Sequence, residues 1–141
     1  MLRILGVAAT LALMTPNVAL AQATDGHVWA VHELRAHPGE EEAYTRALQE
    51  FDIPITEEVI RRGGAVSQTL LIKHAGKMAD GTHLLIIEYA SWDDYIDATE
   101  ASEEASQSLF GRPHAEVAAA EFVSKRDVIR RDVYLGPPSN M

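Results

Sequence analysis

Two apolar runs set the strongest limit on how this chain can fold. Leu70-Leu71-Ile72 lies in Ala65–His74, and Leu84-Leu85-Ile86-Ile87 lies in His83–Tyr89. Both segments are rich in branched residues and flanked by turn formers, so they read as strands. Successive side chains on a strand point to opposite faces, so an unbroken apolar run requires cover on both faces of the sheet. The linker AGKMADGT carries two glycines and an aspartate, which predicts an antiparallel hairpin with a long loop.

The rest of the chain supplies cover for one face. His27 to Ala36 reads as a strand, with Trp29, Val31, Glu33 and Arg35 on one side and Val28, Ala30, His32 and Leu34 on the other. His37-Pro38-Gly39 ends it. Glu40 to Arg62 carries Tyr44, Leu48, Phe51, Ile55 and Val59 at helical spacing, with acids in its first turn and Gly63-Gly64 after its last. Pro54 lies inside this pattern, removes a backbone donor and presses on the carbonyl of Glu50, which predicts a break near Asp52. Ser91 caps a further helix running to about Leu109, with Asp94 in the capping-box position. After Gly111-Arg112-Pro113, the alanine-rich segment from His114 to Lys125 reads as a short helix, and Val128 to Leu135 as a fourth strand.

The order β-α-β-β-α-(α)-β is the ferredoxin-like split βαβ plan: α+β, a four-stranded antiparallel sheet with helices on one face. Nothing remains in the chain to cover the other face. The expected solution is a homodimer, two sheets packed face to face in an α/β barrel.

Residues 1–21, MLRILGVAATLALMTPNVALA, read as a secretory signal peptide. Arg3 gives a short positive start, Ile4 to Met14 an apolar stretch too short for a membrane span, and Ala19-Leu20-Ala21 a small-x-small cleavage pattern. Cleavage there leaves residues 22–141 as one domain, with its core at 27–135 and a frayed tail at 136–141. The expected location is exported, periplasmic or secreted, with no membrane attachment after cleavage. The formal charge of −9 argues against a nucleic-acid partner, which would need clustered Lys and Arg. Zero cysteines exclude disulfides and thiolate chemistry, so the exported domain would rely on its core and on a second copy.

The segments LRAHPGEEEAY, leading into the first helix, and IIEYASWDDY, closing the third strand, sit in an element order that resembles the dimeric α/β-barrel superfamily from Val28 to Tyr134. That superfamily includes cofactor-free monooxygenases, haem-degrading enzymes, polyketide cyclases and small isomerases. The resemblance implies a site in the cleft between sheet and helices. The monooxygenase branch commonly carries a Trp after the third strand and a His in the next helix, where this chain has Ala90 and Thr99. The haem-degrading branch uses an Asn on the first strand, and this chain has Asn only at 140 beyond the leader. The nearest likeness is to the stress-responsive and cyclase-like branch, whose Pro and His before the last strand correspond to Pro113-His114. In that branch the pair is spaced Pro-x-His, and its upstream Tyr falls at Ser108 here.

His114, at a helix start and at the place the resemblance marks, is the first candidate catalytic residue. His32 is the second, since histidine is the usual general base near neutral pH. Tyr89, Trp92, Tyr95 and Trp29 are candidate ligand-binding walls of an apolar pocket. His32 and His37 do not form a zinc-protease pair, because the spacing is five and the segment is a strand. His74, Asp80 and His83 border the hairpin loop and read as loop residues, with no metal expected. Glu103-Glu104 read as a solvated helix face. No phosphate-cradling glycine loop, nucleophile elbow or dinucleotide fingerprint occurs, and no cofactor is expected. The expected function is binding a small apolar or aromatic molecule, with turnover by cofactor-free cyclisation, isomerisation or oxygenation. The alternatives are a non-catalytic exported dimer that binds a ligand or partner, and a haem-binding protein.

Overall fold

The structure, a computed structural model, describes residues 26–74 and 81–136. The leader, the loop position Asp80 and most of the tail lie outside the described residues.

Four strands form one antiparallel sheet in the order β2-β3-β1-β4: β1 Val28–Ala36, β2 Ser67–Ile72, β3 His83–Tyr89 and β4 Arg126–Leu135. The helices are α1 Glu41–Ala47, α2 Ile53–Arg61, α3 Trp92–Phe110 and α4 His114–Glu121. A 3-10 turn, Val123–Lys125, leads into β4. This is the ferredoxin-like α+β plan expected from the apolar pattern. Among the described residues no helix is long and apolar enough to cross a membrane.

Alternation on the strands sorts the side chains. Val28, Ala30, Leu34 and Ala36 of β1, with Leu85 and Tyr89 of β3, are buried under the helices. They meet the helical stripe Tyr44, Leu48, Ile55 and Val59, and Phe51 and Ile87 pack against both halves of this core. The opposite face carries Trp29, Val31, Glu33 and Arg35 of β1, beside Leu84 and Ile86 of β3 and Leu71 of β2. Leu71 and Tyr134 leave about half their surface open, 52% and 51%.

The break at Pro54 is a π turn, Leu48–Asp52, in which the Ile53 N–H reaches back five residues to the Leu48 carbonyl. Pro54 has no N–H to give the Glu50 carbonyl, and a widened turn absorbs the mismatch. α3 begins as expected, the Asp94 N–H donating to Ser91 Oγ at 3.1 Å and Ser91 Oγ donating to the Asp94 carboxylate at 2.7 Å. It ends at Gly111, whose φ of 66° suits a residue without Cβ, and whose N–H closes on the Gln107 carbonyl at 3.0 Å.

β4 begins at Arg126, two residues before the expected start, and holds a bulge. Glu33 pairs with Arg130, and the next residue, Leu34, pairs with Val128, so Ile129 is the extra residue. The bulge changes which face β4 presents. Arg131 lies opposite His32 and Arg126 opposite Ala36, so both arginines belong to the helix-covered face although they are five apart.

Candidate functional site

Sheet and helices do not close completely on each other. Between them lies a cleft of about 810 Å³, lined on its apolar side by Leu34, Leu48, Ile55, Leu85, Ile87 and Phe122. His32, His114, Tyr89 and Tyr95 line the same cleft, so four of the six expected site residues meet in one place.

His114 is placed by the N-terminus of α4. Pro113 opens the helix, and the Glu103 carboxylate accepts from the His114 N–H at 2.5 Å and from the Ala115 N–H at 3.2 Å. Glu103 is thus a capping group and not the solvated acid that its helical position predicted; an acid at a helix N-terminus also suits the helix dipole. The His114 ring points inward, its Nε2 standing 3.8 Å from Asp52 Oδ1, and that nitrogen has no hydrogen-bond partner. Asp52 is the last residue of the π turn and is itself largely enclosed.

His32 stands midway along β1, half-buried. Burial depresses its pKa, the neighbouring Arg131 and Arg126 cations add to the effect, and Asp52 opposes it. The imidazole is therefore neutral at pH 7 and free to accept a proton. Tyr44, wholly buried on α1, is among the residues lining the cleft, its hydroxyl buried without a partner, and burial raises its pKa well above the ordinary phenol value. Tyr89 is pushed up to about 12, chiefly by burial, with Tyr95 and Asp52 adding to it. Both phenols stay protonated donors.

The aromatic residues divide. Tyr89 packs edge-on against Tyr95 at 5.6 Å, and Tyr95 against Trp92 at 5.2 Å. Trp92, 39% exposed, carries this row out of the cleft onto the surface. Trp29, expected as a pocket wall, lies on the opposite sheet face, its indole against the backbone of Gly136, and does not line the cleft. Strand alternation puts it there, since it is odd-numbered beside the even-numbered Ala30 and His32.

Polar groups of the cleft beyond the sequence-derived candidates include Asp52, Tyr44, Glu103, Arg126 and Arg131. Pro54, two residues beyond Asp52, was the only signal in the sequence for that acid. Nothing local marked the arginines.

His83 shows a different fate for a buried histidine. Thr45 Oγ1 donates to the Glu41 carbonyl at 2.7 Å, so it receives the His83 Nε2–H, also at 2.7 Å. Thr82 Oγ1 receives the Ala36 N–H at 2.8 Å and gives its proton to His83 Nδ1 at 2.7 Å. Both ring nitrogens are engaged, which leaves no lone pair for a metal. Among the described residues no group of three His, Asp or Glu side chains is placed to hold one.

No protein-family model matches the chain, and no curated protein matches it. Solved structures do match. A Caulobacter crescentus protein named for antibiotic biosynthesis monooxygenases superposes with a TM-score of 0.51 at 12% identity, over 81% of this chain and 92% of that one. A variant of SnoaB, a cofactor-independent oxygenase from Streptomyces nogalater, gives 0.50 at 14% identity, over 79% and 93%. At these identities the likeness concerns the fold, and it agrees with the sheet order and helix placement above. The chain shares with these structures a ferredoxin-like fold, a four-stranded antiparallel sheet with helices packed on it.

Proposed function

We propose that this cleft binds a small apolar or aromatic molecule and acts on it by proton transfer without a cofactor. One observation carries the reading: of five buried side-chain polar atoms without a hydrogen-bond partner among the described residues, the three outside Gln68, namely Tyr44 Oη, His114 Nε2 and Arg126 Nε, all belong to residues lining a single cleft. Buried polar groups are almost always satisfied, so three orphans around one cavity favour a polar ligand group as their partner. His114 removes a proton from a carbon beside a carbonyl, and Asp52 steadies the imidazolium that forms. The orphaned donors face the enolate oxygen. The enolate is then reprotonated elsewhere, attacks a second carbonyl or combines with dioxygen. SnoaB, an oxygenase by name, favours the last of these.

The test is α-proton exchange of 2-tetralone in D2O, followed by NMR. The chain is expected to accelerate exchange, and His114→Ala to lower that acceleration by about a hundredfold with an unchanged melting temperature. No acceleration by the wild-type chain would leave a ligand-binding protein that performs no turnover.

The same reading includes export and a twofold dimer. Support for the dimer is the outer sheet face, where Leu71, Leu84, Ile86, Val31 and Trp29 make an apolar field that none of the described helices covers. Sedimentation of the wild-type chain at low micromolar concentration is expected to give a dimer, and Ile86→Lys a monomer. A wild-type monomer would overturn it. Export predicts that the protein recovered from its host begins after Ala21.

A further inference from the structure

The arginines of this chain divide into two groups. Among the described residues Arg35, Arg46, Arg61, Arg62, Arg112 and Arg130 each stand within ion-pair distance of a carboxylate. Arg126 and Arg131 do not, and these two line the cleft. In a chain with 21 acids and 12 basic residues, two cleft-lining cations without acids beside them are not a product of composition, and although Arg131 is exposed, Nε of Arg126 is buried. The acids nearby are engaged elsewhere. Glu103 holds the start of α4, Asp132 is tied to Arg130 at 2.7 Å, and Asp52 faces His114. The Ile129 bulge is what turns Arg126 to this side, opposite Ala36. Tyr44 packs in the same core cluster as Ala36, and the Arg126 charge acts on its phenol. The end of the cleft near the start of β4 thus offers a guanidinium N–H and a phenolic O–H, neither satisfied within the protein.

We infer that the ligand of this cleft is an organic acid, an apolar body carrying an anionic oxygen, and that Arg126 with Tyr44 forms the seat for that oxygen. This rests on the reading of the cleft as a ligand site and adds the charge of the ligand to it. The geometry assigns the ends: the anionic oxygen accepts from Arg126 and Tyr44, while the apolar body lies along Leu48, Ile87 and the Tyr89–Tyr95 pair. Burial strengthens such contacts, because a charge-assisted hydrogen bond out of water is worth more than one at the surface. Arg131, opposite His32, adds a second positive field without a carboxylate to quench it.

Calorimetric titration of the full chain with 1-naphthoate and with its neutral isostere 1-naphthylmethanol tests this. Naphthoate is expected to bind about tenfold or more tightly, the usual scale for hydrogen bonds to a charged group. Arg126→Gln should abolish that advantage, weakening the acid far more than the alcohol. Tyr44→Phe, which keeps the ring against His83, should reduce the advantage several-fold and carries the test if Arg126→Gln does not fold. Arg46→Gln, exposed on α1, paired with Glu42 and outside the cleft, should change neither affinity. Equal binding of acid and alcohol by the wild type, or an equal loss of both in Arg126→Gln, would overturn the anion seat alone. Binding of neither would overturn the seat together with the cleft reading beneath it.

Discussion

Two buried polar clusters lie side by side under the helices, and they are built on opposite terms. In the corner around His83 every polar atom has a partner: two threonines, a helix carbonyl and a strand N–H close a ring of hydrogen bonds about a neutral imidazole. In the cleft the imidazole of His114, the hydroxyl of Tyr44 and Nε of Arg126 have none. Tyr44 joins the two, its ring edge-on to His83 at 4.8 Å and the residue itself part of the cleft lining. Burial of a histidine therefore says little about its use. What separates a strut from a site is whether the protein itself finishes the hydrogen bonding.

The sharpest way to break this comparison is His83→Ala. It removes a buried ring against Tyr44 and strands two threonine hydroxyls. The expected loss is about 2–4 kcal/mol of unfolding free energy, read from the denaturant midpoint. His114→Ala should cost under about 1 kcal/mol in the same assay, because no bond inside the protein is lost. Equal losses would erase the distinction between the two clusters.

Asp52→Asn sharpens the comparison from the cleft side, since two readouts move in opposite directions. Tetralone exchange should fall about tenfold or more, because the imidazolium on His114 loses its carboxylate. Affinity for 1-naphthoate should rise a few-fold, because a negative charge leaves the cleft. A merely structural role for Asp52 would lower both together.

Much of this arrangement was legible from residue types and spacing. Alternation on β1 put His32 on one face with Val28, Ala30 and Leu34, and the structure makes that the helix-covered face, opposite the stripe from Tyr44 to Val59. The same alternation also excluded Trp29 from any pocket shared with His32, a consequence that an aromatic inventory overlooks. What could not be read was register. Arg126 and Arg131 are an odd number of residues apart, so on a regular strand they would face opposite ways, and only the Ile129 bulge brings them together. A bulge is decided by pairing with β1, which no local pattern in β4 records. Asp52 escaped for a related reason. Pro54 announced a break in the helix, but whether it becomes a kink or a π turn depends on packing, and the π turn resets the direction of every side chain around it.

The smallest effect is one of pH, and it separates the two clusters by their protons. His83 and His32 both have pKa values below the ordinary 6.5, each chiefly through burial. In the unfolded chain both titrate near 6.5, so below that value the unfolded state binds more protons than the folded one. Stability is then fully present above pH 6.5 and declines as pH falls through the depressed folded values. The carboxylates that the fold holds below their ordinary values, Glu58, Glu88 and Asp127, start from 4.5, 4.5 and 3.8 and contribute only at lower pH. Between pH 6.5 and about 5 the histidines therefore dominate the slope. Melting temperatures measured across that window are expected to fall with pH, and His32→Gln should flatten part of the slope. Bound 1-naphthoate should flatten it further, since an anion against Arg126 eases the proton that His32 must otherwise take up beside two cations. Melting curves in which naphthoate leaves the slope untouched would place the anion away from His32 and confine the seat to the Tyr44 end of the cleft.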